Sequence, residues 1–147
     1  MKVEIGPYPS EDDIFDEQQI SVHIDPWDTW SMDDTLAHII IPMLKQLKET
    51  KHGSPLVDDE DVPHLPKKQW SSNESVQYDL FESREQDELF WAQYEERWEW
   101  VMNEMIWAFE MMVSDAWWEG LQYERKIHER VHRGTTLFGK YYRGLWD

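Results

Sequence analysis

"RWEWVMNEMIWAFEMM", residues 97–112, holds three tryptophans, three glutamates and four of the chain's seven methionines. It contains neither proline nor glycine. Trp98, Val101, Met105, Phe109 and Met112 recur at helical spacing, and Trp91 and Tyr94 extend the same stripe upstream. That stripe predicts a helix with its apolar face on the core. The run from Ser83 to Trp118 is also free of proline and glycine, and Ser83 suits an N-cap. The expectation is one long central helix that Gly120 ends.

The other side of this helix is equally informative. Trp100 and Trp107 are seven residues apart and share a face roughly opposite the stripe, with Leu89 and Asn103 beside them. Glu95, Glu99 and Glu110 line an edge between the two faces. A surface helix does not expose two indoles along its back. Either the chain itself covers both faces, or the tryptophan face meets a second subunit. Large apolar patches mark interfaces, and tryptophan is enriched at their centres. Self-association is therefore the expectation, with Trp100, Trp107, Asn103 and Leu89 as the interface.

Outward from the central helix, shorter elements follow. Val3 and Ile5 alternate in "KVEI", and Ile20, Val22 and Ile24 alternate in "QISVHID", as a half-buried pair of strands requires. "SVQYDLF" at 75–81 reads as a third strand or a helix. Ser31 with Asp34 resembles a capping box and opens a helix whose face carries Leu36, Ile39, Ile40, Met43, Leu44 and Leu47. Pro42 sits inside that helix and Gly53 stops it. Residues 53–70 hold Pro55, Pro63, Pro66 and the acids 58–61, which predicts an extended acidic arm or long loop. Residues 121–133 predict a last helix stopped by Gly134, followed by an aromatic tail. The fold class is α+β and predominantly helical, with a small antiparallel sheet from the N-terminal strands. A single domain over residues 1–147 is the natural size.

Composition bounds the function. The chain is 40% hydrophobic and 31% charged, with a net charge of -17 and no cysteine. Thiolate and disulfide chemistry are excluded, and direct contact with nucleic acid or anionic lipid is disfavoured. The N-terminus "MKVEIGPYPS" has no apolar signal core, and "LAHIIIPML" is too short to cross a bilayer. A soluble cytoplasmic protein is expected. Residues 74–119 are strongly acidic, whereas 125–146 carry Arg125, Lys126, Arg130, Arg133, Lys140 and Arg143 against Glu129 alone. The basic segment either packs beside the acidic helix or offers a phosphate site at Arg130, Arg133, Thr135 and Lys140, where "HRGTT" adds amides and hydroxyls.

Metal chemistry has several candidate groups. "EERWE", Glu95, Glu96 and Glu99, resembles the first half of the magnesium-binding signature of the all-α nucleotide pyrophosphohydrolases. The second half, Glu-x-x-Asp, is missing, since Glu110 and Asp115 are spaced differently. Glu49 with His52 and Glu129 with His132 are Glu-x-x-His pairs of the kind that bundled di-metal proteins use. His128 and His132 are one turn apart and suit a shared metal. Glu95, Glu99, Glu110, His128 and His132 are thus the candidate ligands for magnesium or another divalent metal.

"WDTWSMDDTLAHIIIPMLKQLK", "KHGSPLVDDEDVP", "RWEWVMNEMIWAFE" and "LFGKYYRGLWD" together resemble a family of small uncharacterised proteins of large tailed bacteriophages, including cyanophage-type ones. The resemblance covers nearly the whole chain. It implies a setting in the host-cell cytoplasm during infection, or in the virion, and supplies no catalytic residues. The expected function is a cofactor-free, self-associating acidic module that binds a host or phage protein and competes for nucleic-acid-binding surfaces. The alternatives are a small metal-dependent hydrolase of nucleotides or phosphoesters and a structural component of the virion.

Overall fold

The computed structural model describes residues 2–5, 20–67 and 82–146. The chain divides into two compact units, Met1–Leu36 and Ala37–Asp147. The expected strand at 75–81 and the side chains of Leu89 and Trp91 lie outside the described residues. No helix among the described residues is long and apolar enough to cross a membrane.

The first unit holds two strands, β1 (Lys2–Ile5) and β2 (Ile20–His23), paired antiparallel with Val3 opposite Val22 and Ile5 opposite Ile20. The alternation that predicts a half-buried strand sets this register, but all four residues of β2 are exposed. A two-stranded ribbon is a single layer and brings no second layer of its own over its apolar face. After Asp25 the chain makes a 3₁₀ turn, Pro26–Thr29, closed by a reciprocal capping box between Asp25 and Asp28.

Helix α1 (Met32–Thr50) begins where the sequence predicts. Pro42 lies inside it, exposed, beside Met43 on the rim of an apolar groove. Of the apolar stripe, Leu44 is sealed with Ala37, whereas Met43 remains exposed.

The second unit is built on α2 (Glu82–Met112). Tyr94, Trp98, Val101, Met105 and Phe109 are buried as the stripe predicts. Met102, Ile106 and Ala108 are buried as well, so this helix is covered on more than one side by its own chain. It stops at Met112, short of the expected Trp118. Ser114 causes the break: its hydroxyl donates to the Met111 carbonyl at 2.7 Å and accepts from the Trp117 amide at 3.3 Å. A serine that supplies the backbone with local partners competes with the helical ladder and caps the next turn instead. The result is a separate short helix, α3 (Asp115–Trp118), followed by Gly120 at φ 136°.

Helix α4 (Arg125–Tyr141) corrects the second boundary, because it runs straight through Gly134 and Gly139 and absorbs most of the aromatic tail. Gly134 is a crossing point. A Cβ there would lie 2.4 Å from Ala108 Cβ and 2.5 Å from the Glu104 carbonyl oxygen. Only a residue without a side chain lets the two helix backbones approach this closely. Contacts pair Arg130 with Trp107, Gly134 with Glu104 and Ala108, and Tyr141 with Trp98, so α4 runs antiparallel to α2. Lys45 meets Glu110, Lys48 meets Glu99, and Lys51 meets Glu95, so α1 is antiparallel to α2 as well. The arm between α1 and α2 drives Val57 and Val62 fully into the core.

Candidate functional site

The tryptophan face of α2 meets α4 in a ladder of charge and aromatic rings. Glu104 is nearly sealed from water, with its side chain 7% exposed. Arg130 reaches it through Nη2 at 2.6 Å and Nε at 3.2 Å, and Arg133 through Nη2 at 2.6 Å. The same guanidinium groups lie over the indoles, Arg130 at 3.8 Å from the Trp107 ring centre and Arg133 at 5.6 Å from that of Trp100. His64 packs at a tilt against Trp100, with ring centres 4.7 Å apart and the planes inclined by 47°. Burial pushes the Glu104 carboxyl up, and the hydrogen bonds from Arg130 and Arg133 overcome that push and hold it below the usual carboxylate range.

This geometry explains why indoles and acid crowd residues 97–112. Planar guanidinium groups satisfy a buried carboxylate and stack on aromatic faces at once, which lysine cannot do. The basic segment packs beside the acidic helix.

The arm is fixed from two sides. Arg97, its side chain 4% exposed, donates to the Pro66 carbonyl at 2.8 Å and to the Asp59 carboxylate. Lys140 contacts Asp58 at 2.8 Å and Asp61 at 2.6 Å. Tyr141 donates its hydroxyl to Asp61 at 2.5 Å and accepts from the Asp58 amide at 2.9 Å. Burial, then the bond to Asp61, push the Tyr141 phenol up to about 12. The bonds to Asp58 and Asp61 raise Lys140 too.

Both raised groups contribute stability that is complete below their ordinary values and lost as pH climbs through the folded ones. A tyrosinate absorbance titration is expected to show a late step near pH 12 that belongs to Tyr141. Tyr141→Phe should remove that step and lower stability by about 1 kcal/mol.

The expected site residues separate into distinct places. Glu95, Glu99 and Glu110 are paired with Lys51, Lys48 and Lys45 along the α1–α2 seam. Asn103 lies on the same seam, where Lys48 donates to it at 2.8 Å. Trp100 and Trp107 are half-buried beneath α4. Thr135 donates within α4 to the Val131 and His132 carbonyls. Arg130 and Arg133 serve Glu104, and Lys140 serves the arm. His128 and His132 stand exposed on α4, away from the three glutamates. Among the described residues no group of three or more histidines, aspartates or glutamates is placed to hold a metal.

The sequence reading missed Glu104 and Arg97. Arg97 sits three residues after Tyr94 and four before Val101, and Glu104 sits three after Val101 and one turn before Ala108. A charged residue on or beside a buried stripe is the signal that marks both.

An open apolar groove of about 820 Å³ lies between α1 and α4. Ile40, Met43, Leu47, Phe138, Tyr142 and Leu145 line it, and its polar members, Gln46 and Thr50, carry no charge. Comparison with protein-family models, with curated proteins and with solved structures finds no match to this chain.

Proposed function

We propose that this chain is a non-catalytic interaction module whose acidic surface binds a basic face of another protein, competing there with nucleic acid. The unpaired charge supports this reading. Among the described residues, Asp33, Glu49, Glu60, Glu96, Asp115, Glu119 and Glu124 have no partner, and the cations in that position are Lys67, Lys126 and Arg143. The remaining cations of the second unit among the described residues point at carboxylates of the same chain. What faces outward is a negative field, the electrostatic complement of a surface built for phosphates. From the phage resemblance we further propose that this partner is a protein of an infected cell.

Self-association belongs to the same reading, and the α1–α4 groove supports it. Like-charged copies repel, so a shared face has to be free of charge. The groove lining fits that requirement.

One experiment addresses both parts. Light scattering follows the chain alone and mixed with a basic DNA-binding protein such as a linker histone, and a fluorescent duplex bound to that histone reports displacement by anisotropy, at about 0.05 M and about 0.5 M salt. The expected result is a multimer alone at both salts, plus capture of the histone and release of its DNA at low salt only. Absence of capture at low salt, or capture insensitive to salt, would overturn the acidic-surface reading. A single-chain mass would overturn self-association.

A further inference from the structure

The geometry points to a two-histidine site for a divalent transition metal on the outer face of α4, formed by His128 and His132. The two residues are one helical turn apart, so their Cβ atoms are about 5–6 Å from each other and both imidazoles can reach one ion at about 2.0–2.1 Å. Both are exposed and project away from the buried stripe of Val131, Gly134, Leu137 and Tyr141. Neither ring has a hydrogen-bond or ion-pair partner among the described residues, so no contact described there has to break. That sets them apart from Asp34 and His38 on α1, which share the spacing but are already engaged.

The support beneath the pair is rigid. Packing of Val131, Leu137 and Tyr141 and the close crossing at Gly134 hold α4 against α2. A chelating pair on a fixed backbone loses little freedom on binding, which is where affinity is gained over two independent imidazoles. The surrounding segment is basic, but most of its charge is already neutralised: Arg125 is tied to Glu129 at 2.7 Å, Arg130 and Arg133 are tied to Glu104, and Lys126 is offset by Glu124, one turn before His128. Imidazole pairs favour copper, nickel and zinc over magnesium or calcium. Since no third histidine or carboxylate joins the pair among the described residues, the other coordination positions are open to water or to a ligand atom from another molecule. This inference stands apart from the acidic-surface reading.

Copper titration followed by electron paramagnetic resonance tests it. The intact chain should bind one Cu²⁺ with a spectrum split by two imidazole nitrogens. His128→Gln and His132→Gln should each weaken binding about tenfold or more and reduce the splitting to one nitrogen. His64→Gln should leave both unchanged. These side chains are on the surface, and circular dichroism is expected to show intact helices in every variant. Equal copper affinity in the His132→Gln chain, or a two-nitrogen spectrum that survives it, would overturn the proposal. A calorimetric titration with Zn²⁺ should give the same order among the four proteins.

Discussion

Gly134→Ala is expected to cost about 3 kcal/mol or more, a large share of the ~5–15 kcal/mol that holds a domain of this size together. An added Cβ falls 2.4 Å from Ala108 Cβ and 2.5 Å from the Glu104 carbonyl oxygen. The second of these is main chain, so rotamer changes cannot relieve it and the two helices have to part. Separation also loosens the arginine ladder that spans the same crossing. Gly139, one turn and a half later, has nothing within 4 Å of its Cβ position. Gly139→Ala therefore gains helix propensity without a clash and should stabilise by about 0.5–1 kcal/mol. Urea denaturation reads both: the midpoint falls by more than about 1 M for the first and rises slightly for the second. Equal shifts in the two variants would show that α4 does not touch α2 at Gly134.

Glu104→Gln carries the second large effect. The carboxylate is nearly sealed, and its partners Arg130 and Arg133 are 40% and 51% exposed. Removing one member of a buried pair costs about 3–5 kcal/mol when the other charge is stranded. Here the arginines can turn to water, so about 2 kcal/mol is the reasonable size. The substitution also has a pH signature. The folded carboxyl is held below its unfolded value, so its contribution is complete above the ordinary carboxylate range. It is lost as pH falls through the lowered folded value. Denaturant titrations between about pH 7 and pH 3 should therefore converge for the two proteins at the acidic end. A constant gap across that range would mean that the ladder does not depend on the ionised form.

Helix existence was legible because it depends on periodicity. Tyr94, Trp98, Val101, Met105 and Phe109 are buried as their spacing requires. Helix ends were less legible, since they depend on neighbours. Ser114 ends α2 through local hydrogen bonds that compete with the ladder, without proline or glycine to announce it. Gly134 reads as a stop signal until a second backbone is seen lying against it. Strand pairing was legible from the alternation of Val3, Ile5, Ile20 and Val22, but what lies over that face is not a property of the strands themselves. The candidate sites followed the same rule. One-turn pairs such as His128 and His132 can be seen in sequence. The convergence of Arg97 on Asp59, or of Tyr141 on Asp61, needs chain segments far apart to meet.

That distance has a consequence for how the second unit assembles. The arm's tie from Asp58 to Tyr141 spans 83 positions, and Lys140 to Asp61 spans 79. Neither can form until α2 and α4 already lie side by side, because the entropy of closing so long a loop has to be met first. The arm is thus expected to close late in folding, over helices already joined, sealing Val57 and Val62 into the core as it does so.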